Sequence, residues 1–502
     1  MALETELKLR VAPEHMARLK RCALLRKLSI SRAATHRVYS VYHDTPDLAL
    51  QRQAMALRFR RIGRQWLQTL KAGGSVRAGL HHRNEWETPV AGEALDWAAL
   101  KACGAEGLSG SVRKRLQPLF VTDFSRTTRR LSFGSAEIVL CLDSGEIRAG
   151  DAVQPISEVE LELKSGEPEQ LFKLAQVLLH VAPMEIEHVS KAGYGYRLAT
   201  RLTPKVAKAV IPSLTHCADV PAALHAMVNS CLHHLHANVP GVLQRLDEEY
   251  LHQVRVALRR LLVVLKMAES YRPDAELGRL SEQTARFCTR LGRLREWDVF
   301  VTQTLAPACT HMQVQAGLSE LLQAGEARRA HCQSEVEHGL QSIDYQRFQL
   351  DMGAWMHGAY WRTLSIDGLP LPRFALQILD RHAKNVTKRG KGLAAAEPLQ
   401  LHRLRIACKK LRYSAEIFAS LGSAGQTKRY LAALSALQEI LGALNDIAVA
   451  HRLLDDLVGA GHAQAAAVMR DRIEHNAAEQ RAKLVKAWKK FSKLHHFRAD
   501  LR

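Results

Sequence analysis

Leu3-Glu4-Thr5-Glu6-Leu7-Lys8-Leu9-Arg10 alternates charged and apolar residues. Residues two apart share one face of a strand, so Glu4, Glu6 and Lys8 lie together. The pattern recurs. Arg58 and Arg60 alternate with Leu57 and Phe59, Arg83, Glu85 and Glu87 form a third set, and Glu158, Glu160 and Glu162 alternate with Val159, Leu161 and Leu163. One such strand is ordinarily the wet face of an antiparallel sheet. Several strands that mix carboxylates with guanidiniums predict an antiparallel β-barrel with its charged faces turned inward. Outer helices from within Glu14–Cys103 and from Gln170–Val181 would cover the apolar faces. Such an interior suits a polyanion together with a divalent metal.

Further segments follow in order: Leu57-Arg58-Phe59-Arg60-Arg61, Trp66-Leu67-Gln68-Thr69-Leu70-Lys71, Gly79-Leu80-His81-His82-Arg83-Asn84-Glu85-Trp86-Glu87, Arg126, Leu142-Asp143-Ser144-Gly145-Glu146-Ile147, Glu158-Val159-Glu160-Leu161-Glu162-Leu163 and Ser190-Lys191-Ala192-Gly193. With Glu4-x-Glu6-x-Lys8 at the start, this ordered set resembles the CYTH family of triphosphate tunnel metalloenzymes over positions 1 to 200. The resemblance implies that Glu4 and Glu6, with Glu160 and Glu162 from a late strand, hold Mg²⁺ or Mn²⁺. Asp143 is a further metal ligand or orients an arginine.

The residue types agree with that chemistry. Tripolyphosphate carries closely spaced anionic oxygens, so it needs cations approaching from several sides. Arg58, Arg60, Lys71, Arg83, Arg126 and Lys191 supply them. Carboxylates facing the same space repel the substrate unless a hard cation bridges them to phosphate oxygens. Hydrolysis is then mainly positioning and charge neutralisation, with water activated by metal or by a base. Lys8 and Lys71 qualify as catalytic bases only if dense positive surroundings lower a lysine pKa; otherwise they are phosphate ligands. Adenylate cyclase and thiamine triphosphatase activities also occur within this superfamily.

The 502 residues carry a formal net charge of +21. Residues 1–200 hold 29 Lys and Arg against 22 Asp and Glu, leaving 42 against 28 beyond them, so the later region is the more basic. This excess favours a polyanionic partner. Two domains are expected, 1–202 and 216–500, with a proline-marked linker at 203–215. Past the linker, helical periodicity dominates to the end.

The second half contains a diverged repeat. His252-Gln253-Val254-Arg255-Val256-Ala257-Leu258-Arg259-Arg260-Leu261 pairs with His402-Arg403-Leu404-Arg405-Ile406-Ala407-Cys408-Lys409-Lys410-Leu411, and Leu291-Gly292-Arg293-Leu294-Arg295-Glu296 pairs with Leu441-Gly442-Ala443-Leu444-Asn445-Asp446. At about 100° per residue, with His252 as zero, Arg255 and Arg259 fall at about 300° and 340°, and Leu258, Leu261 and Leu265 near 180° to 240°. The basic stripe thus borders the core stripe instead of opposing it. Such a stripe can line a groove between helices; the plainer reading is snorkelling side chains paired with neighbouring acids.

These stretches resemble the CHAD domain over roughly 206 to 500. The resemblance implies an all-α domain of two pseudo-symmetric four-helix bundles that binds inorganic polyphosphate. His252, Arg255, Arg259 and Arg260 carry over from the first copy, and His402, Arg405, Lys409, Lys410 and Arg412 from the second. The copies differ: Leu262 stands where the second has Arg412, and Glu416 where the first has Lys266. The run Lys384, Lys388, Arg389, Lys391 either extends the basic patch or is a solvated loop.

The 24 histidines include no zinc-binding spacing, and the nine cysteines include no Cys-x-x-Cys pair. The cysteines fit reduced thiols, and no apolar run approaches the ~18 residues of a membrane span. The expectation is a cytoplasmic inorganic triphosphatase without membrane contact, stationed on polyphosphate granules through its helical domain. The alternative is a polyphosphate-binding, granule-targeting protein with little turnover. Aromatic residues make up 6% and do not interleave with the basic stripe, which argues against single-stranded nucleic acid.

Overall fold

The computed structural model describes residues 2–311, 317–363, 368–458 and 463–494. The chain divides into two compact units, Met1–Lys205 with Gln341–Arg362, and Val206–Leu340 with Thr363–Arg502.

The first unit contains strands β1 (Ala2–Val11), β2 (Ala34–Asp44), β3 (Met55–Ile62), β4 (Gln65–Arg77), β5 (Leu80–Val90), β6 (Gln117–Phe133), β7 (Ala136–Ala149), β8 (Ala152–Ser165) and β9 (Met184–Ile186). Neighbours run β5-β4-β3-β2-β6-β7-β8-β1, and β1 pairs back onto β5, closing an eight-stranded antiparallel barrel. The short β9 pairs with the end of β1. Closure leaves the eight strands without a free edge.

The alternation sorts the faces as expected. Leu7, Leu9, Leu140, Leu142, Val159 and Leu161 form an outer core with helix Glu169–Leu178. Leu57, Phe59, Leu70 and Trp86 form another with Leu100 of helix Trp97–Ala102. The inner face is partly apolar: Val38, Tyr42, Phe120, Phe124, Ile147 and Ile156 receive Ala192 and Tyr196 of helix Lys191–Thr200. Gly195 permits this approach, since a Cβ there would lie 2.1 Å from Phe120 Cε2. Buried Asp44 anchors the helix, accepting from Tyr196 Oη at 2.9 Å and from the Leu50 and Gln51 amides at 2.9 and 3.0 Å.

Helix Ile343–Met356 also belongs to the first unit. The sequence-based division placed it in the helical domain, and the structure corrects that. Leu350 and Ala354 join the outer core beside Phe172, and His357 stacks on Phe172 at 5.5 Å. Asp351 Oδ1 accepts from Gln176 Nε2 at 2.8 Å, and Gln346 Oε1 from the Met184 amide at 3.2 Å. The reason is coverage: the apolar face of helix Glu169–Leu178 needs a second layer, and 343–356 supplies it. A Cβ on Gly353 would lie 2.1 Å from Phe172 Cε1. Gly353→Leu is therefore expected to destabilise the first unit by about 1–3 kcal/mol through overpacking, read by urea denaturation of the full chain.

In the second unit four long helices, Val220–Leu243, Glu248–Tyr271, Ala275–Val299 and Leu318–Gln341, are echoed by Leu371–Arg389, Pro398–Ile417, Ala424–Val458 and Ala463–Phe491. Counterparts meet: Glu248–Tyr271 packs on Pro398–Ile417, Val220–Leu243 on Leu371–Arg389, and Ala275–Val299 on Ala424–Val458. Like meeting like is the contact pattern of a two-fold repeat. The segment expected as a linker is pinned in part, since Asn238 Oδ1 accepts from the Ala207 amide at 3.1 Å and Asn238 Nδ2 donates to Ala207 O at 3.0 Å. Helix Ala424–Val458 is long and apolar enough to cross a membrane by length and composition. It buries Leu434, Leu437, Leu441, Leu453 and Leu454 against its neighbours, and 22% of its most apolar stretch is buried.

Candidate functional site

The inward positions of β1, β3, β4, β5, β6, β7 and β8 build a charged chamber. Lys8 and Glu160 face each other in β1–β8 register, with Lys8 Nζ 2.5 Å from Glu160 and 3.0 Å from Glu6. Arg126 grips Asp143 with two hydrogen bonds of 2.8 and 2.6 Å and also reaches Glu160. Lys191, the first residue of its helix, sits 2.7 Å from Asp143 and 3.0 Å from Glu160 and contacts Glu158. Asp143, Glu158 and Glu160 offer carboxylate oxygens all within 4.8 Å of one another.

Across the chamber, Lys71 Nζ lies 2.7 Å from Glu4 and 3.1 Å from Glu85, and Arg58 lies 3.2 Å from Glu85 and 3.4 Å from Tyr42 Oη. Arg60 has no carboxylate partner among the described residues; its hydrogen bond goes to Ser40 Oγ at 3.5 Å. Burial, Arg58 and Arg126 together push its guanidinium down to about 10. A cavity of about 240 Å³ is lined by Lys71, Arg83, Ser190, Gly193 and Tyr196.

Burial alone would favour neutral forms, but pairing decides. Against burial, Lys191, Lys8 and Arg126 hold Glu160 well below the usual carboxylate range, and Glu160 and Glu6 raise Lys8. Lys8 is therefore an ammonium, and the lowered pKa that a lysine base needs is absent there. Burial and Glu160 raise Glu158. Glu162 stands apart, paired with Lys164.

The second unit holds a groove of about 850 Å³ between the two helix sets. His252, Arg255, Arg259, His402, Arg405 and Lys409 line it, joined by Arg295, Arg452 and Arg481. A π-helical turn, Phe300–Leu305, continues helix Ala275–Val299 and puts Phe300, Gln303 and Thr304 in the wall. Burial and the neighbours Arg259, Arg405 and Arg255 push the Lys409 ammonium down to about 6. Arg255, 8% exposed, donates to Leu291 O at 2.5 Å and is pushed down to about 9 by burial and Arg259. Arg260 and Arg412 are drawn elsewhere, both pairing with Glu416, and Lys410 is not among the lining residues.

Residues 2–196 match the family model described as CYTH domain, and residues 226–455 the one described as CHAD domain. The chain is a CYTH domain followed by a CHAD domain. Over 202 residues the chain is 36% identical to an inorganic triphosphatase of Haemophilus influenzae; the match covers 40% of this chain and 56% of the relative, so the chain spans about half that protein's length. A crystal structure of the CHAD domain from the plant Ricinus communis aligns with a TM-score of 0.53 at 30% identity, covering 59% of this chain and 99% of that one. A Hippeastrum protein described as a putative adenylyl cyclase with a dominant triphosphatase activity aligns over 40% of this chain and 98% of its own, at 21% identity and a TM-score of 0.31.

Sequence reasoning missed several parts of these sites, among them Arg452 and Arg481 of the groove. Glu158 completes the acidic triad of the CYTH barrel; it shares a face with Glu160 and Glu162, and that alternation was its signal. Arg295 and Glu296 reach the CHAD groove from the second repeated stretch, whose later copy has Asn445 and Asp446. His81 is buried, with Nε2 2.9 Å from Glu187 O, and is pushed down to about 4 by burial and Lys8. All nine cysteines are free thiols.

Proposed function

We propose that the CYTH barrel hydrolyses inorganic tripolyphosphate to pyrophosphate and phosphate, and that the CHAD groove binds inorganic polyphosphate. The observation that carries the first part is one chamber holding a compact carboxylate triad beside Arg58, Arg60, Lys71 and Arg126. The donor set is all oxygen, which fits Mg²⁺ or Mn²⁺ held by Asp143, Glu158 and Glu160, with Glu4 and Glu6 on β1, the strand paired with β8. Bound there, the ion supplies charge neutralisation and Lewis-acid polarisation of phosphoryl oxygens. Arg60, with no carboxylate partner among the described residues, is available to a phosphate oxygen. Arg58, Lys71 and Arg126 exchange carboxylate partners for phosphate oxygens and hold the chain in line for attack by water on the terminal phosphorus. Arg83 completes the ring of cations. Lys8 and Lys71 serve charge neutralisation in this scheme, and no protein base is required.

The second reading is a cytoplasmic polyphosphate-binding protein targeted to granules, whose barrel turns over little. The larger cavity lies in the CHAD half, which favours a substantial binding role there. Polyphosphate should displace nucleic acid from the protein far better than the reverse.

The deciding experiment is phosphate release from tripolyphosphate by the full chain with Mg²⁺, Mn²⁺ or excess chelator, with ATP and long-chain polyphosphate as rival substrates. Metal-dependent release from tripolyphosphate is expected. Glu6→Ala, which removes a partner of Lys8 beside the triad, should lower it by about 10–100-fold with folding intact. Full activity in Glu6→Ala would move the metal site elsewhere.

A further inference from the structure

The carboxylate triad of the barrel already holds a cation of the protein's own. Lys191 Nζ lies 2.7 Å from Asp143 Oδ2 and 3.0 Å from Glu160 Oε1 and contacts Glu158 Oε1, the three acids whose oxygens cluster within 4.8 Å. The ammonium occupies the space an ion would share with these oxygens. Its backbone is fixed: Lys191 opens helix Lys191–Thr200, Ser190 Oγ caps it by accepting from the Gly193 amide at 3.1 Å, and Tyr196 is tied to Asp44. Only the four-carbon stem is free to carry the charge away.

We propose that Lys191 is the resident counter-ion of the metal triad and that metal binding expels its ammonium toward the substrate chamber, where it becomes a phosphate ligand. This rests on the metal-dependent reading of the barrel.

Charge and distance make the exchange reasonable. A divalent ion doubles the charge at the same place and binds oxygen at about 2.0–2.1 Å, whereas the ammonium sits at hydrogen-bonding range. Lys8 and Arg126 already neutralise much of the cluster, so a divalent ion and Lys191 together would over-fill it. In its resident place Nζ also lies 5.1 Å from the Phe124 ring centroid, a contact that the exchange would alter. The cavity lined by Lys71 and Arg83 also borders Ser190 and Ala192, the residues flanking Lys191. The consequence is ordering: the barrel gains a phosphate-binding cation only once the metal is in place.

Mn²⁺ binding to the full chain, followed by the electron paramagnetic signal of the free ion and without substrate, tests this. Lys191→Met removes the competitor and should bind Mn²⁺ about 10–100-fold more tightly than wild type, the gain expected when a binding-competent state is no longer a minor one. Lys71→Met removes a chamber cation outside the triad and should shift binding much less, which separates displacement from general charge removal. In wild-type protein, Mn²⁺ should increase acetylation of Lys191 by a small amine-reactive reagent, a readout that needs no variant to fold. Equal Mn²⁺ affinity in Lys191→Met and wild type, or unchanged acetylation on metal binding, would overturn the exchange while leaving the metal site intact. Absence of Mn²⁺ binding to wild type would overturn the metal-dependent reading itself.

Discussion

Tripolyphosphate hydrolysis is expected to fall by about three orders of magnitude in Glu160→Gln, and the metal-free protein is expected to lose stability as well. Glu160 is the meeting point of the chamber, contacting Lys8, Arg126 and Lys191 at once. Glutamine keeps the shape but gives up the charge that the three cations use and that a bound ion would use. A bound ion supplies several kcal/mol of charge stabilisation in such a reaction, and each 1.36 kcal/mol is tenfold in rate. Removing one partner from a buried ionic cluster typically costs about 3–5 kcal/mol. Asp143, Glu158 and Glu6 remain to share the cations, which places the loss toward the lower figure. Phosphate release with Mg²⁺ or Mn²⁺ and urea denaturation in chelator measure the two effects separately. Wild-type turnover in Glu160→Gln would show that the chemistry does not pass through this cluster.

Polyphosphate affinity of the helical half is expected to weaken steeply as pH rises above about 6, and Lys409→Met should flatten the curve. Burial, with Arg259 and Arg255 from the first repeat and Arg405 from its own helix, pushes Lys409 down to about 6 against the opposing pull of Asp446. Without ligand it is therefore mostly neutral at pH 7. A phosphate chain in the groove favours the ammonium, so binding takes up a proton. Affinity then falls by up to tenfold per pH unit between the free and bound pKa values. Stability without ligand runs the other way. The unfolded chain, with an ordinary lysine, binds more protons than the native one above pH 6, so this group makes stability rise with pH through that window. Binding isotherms from pH 6 to 9 with wild type and Lys409→Met test the first sign, and urea denaturation of the ligand-free proteins over the same range tests the second. A slope that survives Lys409→Met would assign the proton to another group.

The barrel is legible in the sequence because a period of two leaves little freedom: once Glu4, Glu6 and Lys8 share a face, Leu7 and Leu9 must find cover, and helix Glu169–Leu178 provides it. The groove is legible because the repeat carries its basic stripe at the edge of its core stripe. Side-chain pairing is less so. Alternation puts Glu158, Glu160 and Glu162 on one face, but nothing in it says that Lys191, about thirty positions later, will reach the first two while Lys164 takes the third. Glu416 likewise attracts Arg260 and Arg412 away from the groove, a three-body contact that helical angle alone does not encode. Helix Ile343–Met356 was misplaced because it is buried almost all round, Gln346, Gln349 and Asp351 included, so its polar positions do not mark a solvent side or tell which core it will enter.

That misplaced helix has a consequence for how such a chain can be inherited. The polypeptide crosses between the units three times, near residues 205, 340 and 362. Two domains joined by one tether can be shuffled, split between genes or exchanged by a single recombination event. Here a break after the barrel would leave its outer layer behind in the other piece. A free-standing barrel cut from this protein would therefore lack the layer that residues 343–356 supply.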